Sequence, residues 1–341
     1  MRKLINLSLL SQACLTGGIA GAQQNRPERP NVIFILTDDQ SWDTIGFMGG
    51  KVHTPRLDAM KKQGIFFSNF NVTTTVCSPS RYSFLTGRFA GRCHAPRFMK
   101  LHPPGTMTRV ENNVELESDA WNLPKVLQKA GYFTGFTGKC HLIHHDWLGG
   151  GQNWKKNGLE TYPPGADPRD PEIQQKMQKN HRRWCEALKE YGFDWVDGVY
   201  PANLKELWCD ALNVHNWDWT VHKAMKFLEK ARNRPFFLYI ATTLHHGPNP
   251  ANNKNSVLAD PHLTGEGYVA ETYHDLPPRK EIIRQTTRAG LPENRAFATW
   301  LDAGVGAIID KVKALGLAHN TLIIFTSDHG SYRHGKTTLY D

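Results

Sequence analysis

The sequence lacks three features, each of which would point to a different class of protein. No two cysteines have the Cys-x-x-Cys spacing, which disfavours a zinc site or a thioredoxin-type redox centre. No long block of Lys or Arg and no basic helix is visible, so we expect no nucleic-acid partner. Beyond the first 22 residues, no apolar run is long enough to cross a membrane, so we expect no stable membrane span.

The composition is ordinary for a globular protein, with a bias in charge. The chain has 341 residues, 40% hydrophobic and 21% charged, which is enough for one large domain or two smaller ones. The formal net charge of +9 favours anionic partners in general. An acidic small molecule or a sulfated polymer would suit this charge.

The first 22 residues are expected to be a secretory signal peptide. Arg2 and Lys3 give a positive start, residues 4–22 are largely apolar or small, and residues 20–22 read Ala-Gly-Ala, like a cleavage site. A single-pass anchor is the alternative, but glycines and polar residues within 4–22 would make a poor spanning helix. We therefore predict a secreted or periplasmic protein with one domain over residues 23–341.

Continuous apolar runs predict strands that are buried on both faces of a parallel sheet. These runs cover residues 32–36, 235–241 and 321–325. Helical periodicity and capping signals predict helices over residues 54–63, 118–130, 217–231 and 295–315. Shorter strands are expected over residues 65–70 and 132–136, whereas residues 143–215 and 249–294 are expected to be irregular.

Acidic residues follow the first and the last of these predicted buried strands. Asp38 and Asp39 come just after the first strand, and Asp328 with His329 comes just after the last. Adjacent carboxylates repel each other unless a cation or a basic group compensates. Ligand sites of open α/β sheets lie at the carboxyl ends of the strands. A surface turn is the alternative for either pair alone, but the two pairs together predict a metal site.

Cys77 opens a motif that has little structural explanation. The segment reads Cys-Ser-Pro-Ser-Arg at 77–81 and Leu-Thr-Gly at 85–87. Pro79 suits the first turn of a helix, and Arg81 lies four residues after the thiol, so it can return to the same face. The thiol would then lie at a helix N-terminus, where anions are favoured. A buried cysteine that only packs is the alternative.

Other polar residues follow further predicted strands. Lys139 and His141 lie in the segment Thr-Gly-Lys-Cys-His-Leu and alternate along it, so both side chains can face one side. Taken alone, such residues are more often on the surface. His246, in His-Gly-Pro, follows the strand at 235–241 and is preferred to His245. Lys336 follows the last acidic pair.

Together these motifs resemble those of the type I sulfatases, in the alkaline-phosphatase superfamily, from about residue 31 to the end of the chain. The resemblance implies an α/β fold with a mostly parallel sheet flanked by helices on both faces. The family normally continues into a smaller C-terminal subdomain on an antiparallel sheet, and this sequence stops at Asp341 before that part. Cys140 stands where the family commonly has Trp, a departure that concerns local packing more than chemistry.

The resemblance also implies the nucleophile and the metal. Cys77 would be converted by a formylglycine-generating maturation enzyme to Cα-formylglycine, whose hydrated aldehyde is the nucleophile. One divalent cation, Ca²⁺ or Mg²⁺, would be bound by the following residues: Asp38, Asp39, modified Cys77, Asp328 and His329. Because oxygen atoms dominate this set, a hard ion suits it better than zinc does.

The remaining site residues receive roles in the same way. Arg81, Lys139 and Lys336 would stabilise the charge on the transferring group. His141 would be the general base acting on the hydrate. His246 and Lys336 would contact the sulfate and share the protonation of the leaving oxygen.

The implied function is a hydrolase that releases sulfate from a sulfate ester, and a sulfated carbohydrate is the preferred substrate. A phosphonate monoester or phosphodiester hydrolase of the same superfamily and a non-catalytic binder of sulfated glycans stay open as alternatives. Residues 330–337 also match the phosphate-binding pattern G-x-x-x-x-G-K-[ST]. That site needs a following helix and a downstream carboxylate, so with four residues after Thr337 we expect no nucleotide binding.

Disulfides are allowed by the cysteine count but not specified by it. The six cysteines are Cys14, Cys77, Cys93, Cys140, Cys185 and Cys209. Without the one in the predicted signal peptide and the predicted nucleophile, four are left. Two disulfides are therefore allowed in an exported protein, with their connectivity open.

Overall fold

The computed structural model describes residues 29–331 and residue 336. The predicted signal peptide at residues 1–22 lies outside the described residues, and so does most of the phosphate-binding pattern at 330–337. The start of the predicted domain at residue 23 also stays a prediction.

A five-stranded parallel sheet is the centre of the described part of the fold. In chain order, the strands are β1 (Asn31–Thr37), β2 (Phe133–Lys139), β3 (Trp195–Tyr200), β4 (Phe236–Ala241), β5 (Leu263–Thr264), β6 (Gly267–Tyr268) and β7 (Thr321–Ser327). The order across the large sheet is β3-β2-β4-β1-β7, while β5 and β6 form a small antiparallel hairpin.

Helices connect these strands. In chain order they are α1 (Pro55–Gln63), α2 (Cys77–Thr86), α3 (Pro96–Leu101), α4 (Leu123–Lys129), α5 (Gly151–Lys156), α6 (Pro171–Lys189), α7 (Trp217–Ala231), α8 (Arg279–Arg288) and α9 (Ala296–Ala314). Local sequence explains several starts. At α6, for example, the Asp170 side chain accepts hydrogen bonds from two backbone amides, and Pro171 occupies the first helical position. None of the helices within 29–331 combines the length and apolar character that a membrane crossing requires.

The two faces of the sheet bury alternate residues of each strand against different helices. Ile33 of β1 and Leu238 of β4 pack in one cluster with residues of α7 and α9. Leu36 and Tyr239 belong to a second cluster, together with residues of α2 and α6. Burying one such apolar side chain contributes about 1.5–3 kcal/mol, so both faces need a covering layer. The predicted parallel α/β sheet with helices on both faces is confirmed.

Aromatic rings in register hold the central strands together. Phe34, Tyr239 and Phe136 lie opposite one another on β1, β4 and β2. The ring of Tyr239 stacks on Phe34 at 5.5 Å and on Phe136 at 5.4 Å. Each such pair contributes about 0.5–1.5 kcal/mol beyond its buried area. The ladder lies on strands whose carboxyl ends carry the polar residues predicted above.

Two predicted elements are wrong or misplaced. Residues 65–70 form no strand, and Ile65 and Phe67 are 83% and 69% exposed, because no neighbouring strand takes up this apolar run. The helix predicted over 118–130 begins only at Leu123, where the side chain of Asn122 accepts the Lys125 amide and caps the helix.

The two segments predicted to be irregular contain regular structure. Residues 143–215 include α5, the 19-residue α6 and the edge strand β3. The strand was missed because Asp197 and Gly198 interrupt its apolar run, and α6 because its exposed face is strongly polar. Residues 249–294 include the β5–β6 hairpin and α8.

The cysteines of the described region are unpaired. Cys93, Cys140, Cys185 and Cys209 are buried free thiols, as is Cys77. The two disulfides that the sequence allows are therefore not formed in this structure, and the core is held by packing instead.

Gly304 of α9 allows a close helix–helix contact that an added methyl group would disrupt. A Cβ atom at this position would lie 1.9 Å from Trp217 Nε1 on α7. Glycine to alanine normally stabilises a helix interior by about 0.5–1 kcal/mol, but overpacking costs about 1–3 kcal/mol. We expect Gly304→Ala to lower the free energy of unfolding by about 1 kcal/mol or more in urea titrations.

Gly306→Ala on the same helix is the matched control. Its Cβ would meet the flexible Arg56 side chain at 2.5 Å rather than a buried ring. Arg56 can rotate, so this variant should lose less stability than Gly304→Ala. Equal or higher stability of Gly304→Ala would show that the α7–α9 contact is not tightly packed.

Candidate active site at the carboxyl edge of the sheet

The carboxyl ends of four parallel strands bring the predicted polar residues to one edge of the sheet. Asp38 and Asp39 follow β1, Lys139 ends β2, His246 lies in the loop after β4, and Asp328 follows β7. The first turn of α2 brings Cys77 to the same edge, where its Sγ lies near Asp38 and Asp328. Residues up to 290 positions apart in the sequence are thus neighbours.

A buried network of charges forms the floor of the site. Arg81 contacts Asp328 Oδ2 through Nε at 3.1 Å and Nη2 at 2.9 Å, and donates to the Lys139 carbonyl. Asp38 lies between two cations, with Oδ2 at 2.5 Å from Lys139 Nζ and Oδ1 at 3.3 Å from Arg81 Nη2. All four side chains are at most 1% exposed, so each charge depends on the others for compensation.

The two central carboxylates have opposite pKa shifts. Burial alone would raise the pKa of Asp38, but the charges of Lys139 and Arg81 outweigh it and hold that pKa well below its usual range. Burial, followed by the negative charge of Asp38, raises the pKa of Asp328 to about 6, against the opposing effect of Arg81. A positive ion beside both groups would favour the charged form of each.

Cys77 is a buried neutral thiol in contact with His329. Its Sγ lies 3.3 Å from His329 Nε2. His329 Nδ1 is 2.6 Å from the Gly330 carbonyl oxygen and donates to it, so Nε2 is the ring nitrogen that faces the site. Burial raises the pKa of Cys77 to about 12. The unmodified side chain is therefore a poor nucleophile near neutral pH.

Asp39, Lys336 and His246 form the outer side of the site. Asp39 has a positive φ of 53°, and its Oδ2 lies 2.5 Å from Lys336 Nζ and 3.9 Å from His246 Nε2. Its Oδ1 lies 3.2 Å from His329 Nε2. Burial lowers the pKa of His246, although its side chain is 20% exposed and faces the opening. His245 lies outside the site, packed against the Phe297 ring at 4.9 Å.

His141 lies beside the site but not in the arrangement that was predicted. β2 ends at Lys139, and His141 has a positive φ of 57°, so the two residues do not alternate along one extended segment. Its ring lies 5.5 Å from that of His145, and its Nδ1 has no hydrogen-bond partner among the described residues. Burial and the positive charge of Lys139 hold its pKa well below the usual range. The imidazole is therefore neutral and able to accept a proton.

Asn203 is a site residue that the sequence did not reveal. Its Oδ1 accepts a hydrogen bond of 2.7 Å from Lys139 Nζ, so it orients the amine that also pairs with Asp38. It was missed because the region was read as irregular, although it follows β3 as the other site residues follow their strands. Ser80, also missed, donates its hydroxyl to the Asp328 carbonyl from the first turn of α2.

The donor set fits a divalent cation. One ligand atom each from Asp38, Cys77, Asp328 and His329 lies within 4.8 Å of the others, and Asp39 Oδ1 adjoins His329. The buried oxygens Asp38 Oδ1 and Asp39 Oδ1 accept no hydrogen bond within the described residues. Buried carboxylate oxygens that accept no hydrogen bond suit a hard cation.

Comparisons with known proteins give a matching family and several relatives. The family model described as Sulfatase matches residues 30–341. The chain is 28% identical over 320 residues to human N-acetylgalactosamine-6-sulfatase, covering 92% of this chain and 52% of that protein. It is 27% identical over 311 residues to the ulvan-active sulfatase of Formosa agariphila, covering 90% and 52%. The chain thus spans about half the length of these curated relatives.

Solved structures share the fold at lower identity. A Bacteroides thetaiotaomicron protein from a study of the metabolism of multiple glycosaminoglycans has a TM-score of 0.56 and 20% identity, covering 89% of this chain and 63% of that chain. The phosphonate monoester hydrolase of Agrobacterium radiobacter has a TM-score of 0.50 and 19% identity, covering 89% and 63%. At these identities the likeness concerns the fold alone.

Metal binding can be measured without any turnover. A cation that binds the folded chain and not the unfolded chain raises the melting temperature. We expect Ca²⁺ to raise the melting temperature of the chelator-treated protein. Asp39→Asn should weaken Ca²⁺ binding in calorimetry by about ten-fold or more, because it removes one negative charge from the donor set.

Asp43→Asn is the control for this measurement. Asp43 lies on the same side of β1, but its carboxylate is 38% exposed and 3.9 Å from Arg295, outside the donor set. The affinity of the Asp43→Asn variant for Ca²⁺ should equal that of the wild type. Equal weakening by both substitutions would mean that Ca²⁺ responds to general surface charge rather than to this site.

Proposed function

Because the chain belongs to the sulfatase family, we propose that it hydrolyses sulfate esters with a nucleophile made from Cys77. One observation carries this proposal. The Cys77 side chain lies at the start of α2, 3.3 Å from His329 Nε2, where carboxylates and basic side chains from four strand ends converge. That convergence provides both a place for a cation and a place for an anion beside one modifiable side chain.

The charge balance of the site favours an anionic group once a cation is bound. The carboxylates of Asp38, Asp39 and Asp328 are matched in formal charge by three basic residues, and these are Arg81, Lys139 and Lys336. A divalent cation would therefore leave a positive excess in a site that largely excludes water. Such an excess would attract a sulfate group and stabilise charge that develops on it.

The nucleophile requires modification of Cys77. The neutral thiol is a poor nucleophile, and a thiol–sulfate adduct has no easy internal route to release. Before any turnover, a separate maturation enzyme would use an external oxidant to convert the –CH2SH group of Cys77 to the aldehyde of formylglycine with loss of the sulfur. Water would then add to the aldehyde to give two hydroxyl groups. One hydroxyl oxygen bonds to sulfur while the sulfur–alkoxy bond breaks. Loss of the proton from the other hydroxyl then expels sulfate and restores the aldehyde.

This chain's own residues would position the groups and move the protons. Neutral His141 would accept the proton from the hydrate. Arg81 and Lys139 would stabilise the charge on the transferring group, and Asn203 would orient the Lys139 amine. His246 and Lys336, at the opening, would contact the sulfate and protonate the leaving oxygen. A bound cation, proposed to be Ca²⁺ with Mg²⁺ as the alternative, would supply positive charge to the sulfate oxygens.

The proposed substrate is a sulfated carbohydrate outside the cytoplasm. The names of two relatives support the substrate class, since one is an N-acetylgalactosamine-6-sulfatase and the other an ulvan-active sulfatase. The predicted signal peptide supports export to the periplasm or the medium. If fully modified protein binds sulfated glycans but releases no sulfate, the alternative of a non-catalytic glycan-binding protein would be supported.

Replacing Cys77 tests the nucleophile. Cys77→Ala should lower sulfate release by about a thousand-fold or more, since no aldehyde can form. The measurement is sulfate release by protein co-expressed with a maturation enzyme, with the mass of the peptide around residue 77 determined in parallel. The fold should survive, because alanine only removes a sulfur atom.

Cys209→Ser is the matched control. Cys209 is a buried thiol in another hydrophobic cluster, and its Sγ donates to the Ala166 carbonyl at 3.4 Å, a bond that a hydroxyl can also make. This variant should keep most of its activity. Retained turnover in Cys77→Ala would refute the assignment of the nucleophile.

Comparing two ester classes separates sulfatase from phosphodiesterase activity. Cys77 is only 1% exposed, so a tetrahedral group with one ester arm can approach it more readily than a group with two. We expect kcat/KM for an aryl sulfate to exceed that for the matching diaryl phosphate by about a hundred-fold. The reverse preference would favour the phosphodiesterase alternative and would leave the fold assignment intact.

A further inference from the structure

A cleft next to Cys77 has no role in the chemistry above. Its walls come from α3 and from residues 109–113, and Val76, the residue before Cys77, also lines it. Its volume is about 570 Å³, which is within the usual range for sites that bind small molecules. Because Val76 lines it, the cleft comes within one residue of Cys77 along the chain.

Hydrogen bonds hold the cleft in shape. Asn112 Oδ1 accepts the Ser78 amide at 3.2 Å, which fixes the loop to the first turn of α2. Asn113 bridges the two walls, because its Nδ2 lies 2.8 Å from the Arg109 carbonyl oxygen and 3.1 Å from His102 Nε2. The cleft is therefore preformed next to the proposed nucleophile, and little ordering would be needed to fill it.

The cleft presents guanidinium groups with unused donors. Among the described residues, Arg97 faces Glu115 at 3.6 Å, beyond hydrogen-bond distance, and Glu115 already accepts the His145 amide. Arg109 pairs with Glu111 at 2.7 Å, but its side chain is 81% exposed. Exposed ion pairs of this kind are weak and can be exchanged for a better partner. Each arginine could therefore bind an anion in place of its present contact with Glu115 or with Glu111, which also lines the cleft.

We propose that this cleft binds a second anionic group of the substrate, a carboxylate or sulfate on the sugar next to the one that bears the cleaved ester. The proposal rests on the proposed function and narrows its substrate to a polyanionic carbohydrate. Planar guanidinium groups match the paired oxygens of carboxylates and sulfates. Leu101, which is 55% exposed in the same cleft, offers apolar surface to a sugar ring.

The test compares substrates with and without the second anion. The variant carries Arg97→Gln and Arg109→Gln in the full, formylglycine-containing chain. The probes are an aryl sulfate, a disulfated disaccharide without a carboxylate, and a monosulfated disaccharide with a uronate. For at least one disaccharide, the ratio of its kcat/KM to that of the aryl sulfate should fall by about ten-fold to a hundred-fold, mainly through KM. The disaccharide affected identifies the anion as sulfate or carboxylate.

Arg284→Gln is the matched control, because Arg284 lies on α8, is 63% exposed and pairs with Glu281 rather than lining the cleft. It should leave all three kcat/KM values unchanged. An unchanged ratio in the double variant would overturn the proposal. So would an equal loss for all three probes, since that would indicate an indirect effect through α2.

A binding measurement separates this proposal from the proposed function. Calorimetry with both disaccharides would use the Cys77→Ala chain, with and without the two arginine substitutions. If the wild type cleaves none of the probes but the arginine substitutions still weaken disaccharide binding by about ten-fold, the cleft is supported and the sulfatase activity is not. If turnover is present and binding does not depend on the arginines, the cleft is refuted and the activity stands.

Discussion

The pairing of Arg81 with Asp328 and Asp38 is the interaction on which the site depends. Arg81 is fully buried, and its guanidinium joins the helix that begins at Cys77 to the ends of β1, β2 and β7. Removing one partner from a buried ion pair typically costs about 3–5 kcal/mol, because the other charge is left uncompensated. The strands must therefore end in register at this edge for the chain to fold without an unpaired charge. The ion pairs that position the proposed site residues are therefore also needed for the stability of the folded chain.

The same burial explains why an unmodified cysteine would serve poorly here. Desolvation penalises the charged thiolate, which is the reactive form, and it is the largest of the effects that raise the pKa of Cys77. The neutral hydrated aldehyde of the proposed mechanism would be buried without such a penalty, and the proposed base His141 is itself kept neutral by its burial. A buried site in which a thiol is unreactive can thus still accommodate a nucleophile that is neutral before it reacts. Low exposure also strengthens every interaction between the basic residues and a bound anion.

The sequence predicted those helices and strands that are marked by a continuous apolar run or by a regular spacing of apolar residues. β1 and β4 were found because strands covered on both faces are apolar throughout, and α7 was found because its apolar positions recur with helical spacing. β7 was found from a similar apolar run, although its residues are only partly buried or exposed and not covered on both faces as predicted. β3 was missed because it lies at the edge of the sheet and contains Asp197 and Gly198. Asn203 was missed for a related reason, since a polar residue in a turn gains meaning only when the preceding strand is known. Residues 65–70 show the opposite error, because apolar character does not form a strand unless a neighbour is available to pair with it.

The proposed catalytic residues and the proposed recognition cleft lie on different kinds of structure in this chain. The proposed catalytic and metal-binding residues lie at strand ends or in the first turns of α2, where the buried sheet allows little variation in their positions. The cleft beside Cys77 is built from the six-residue α3 and a short loop that is tied to α2 by the single Ser78–Asn112 hydrogen bond. Such a wall can change in length and charge at little cost to the core, because the side chain of Arg97 is partly exposed and that of Arg109 is largely exposed. A site of this construction can keep one reaction constant while the substrate that it accepts changes.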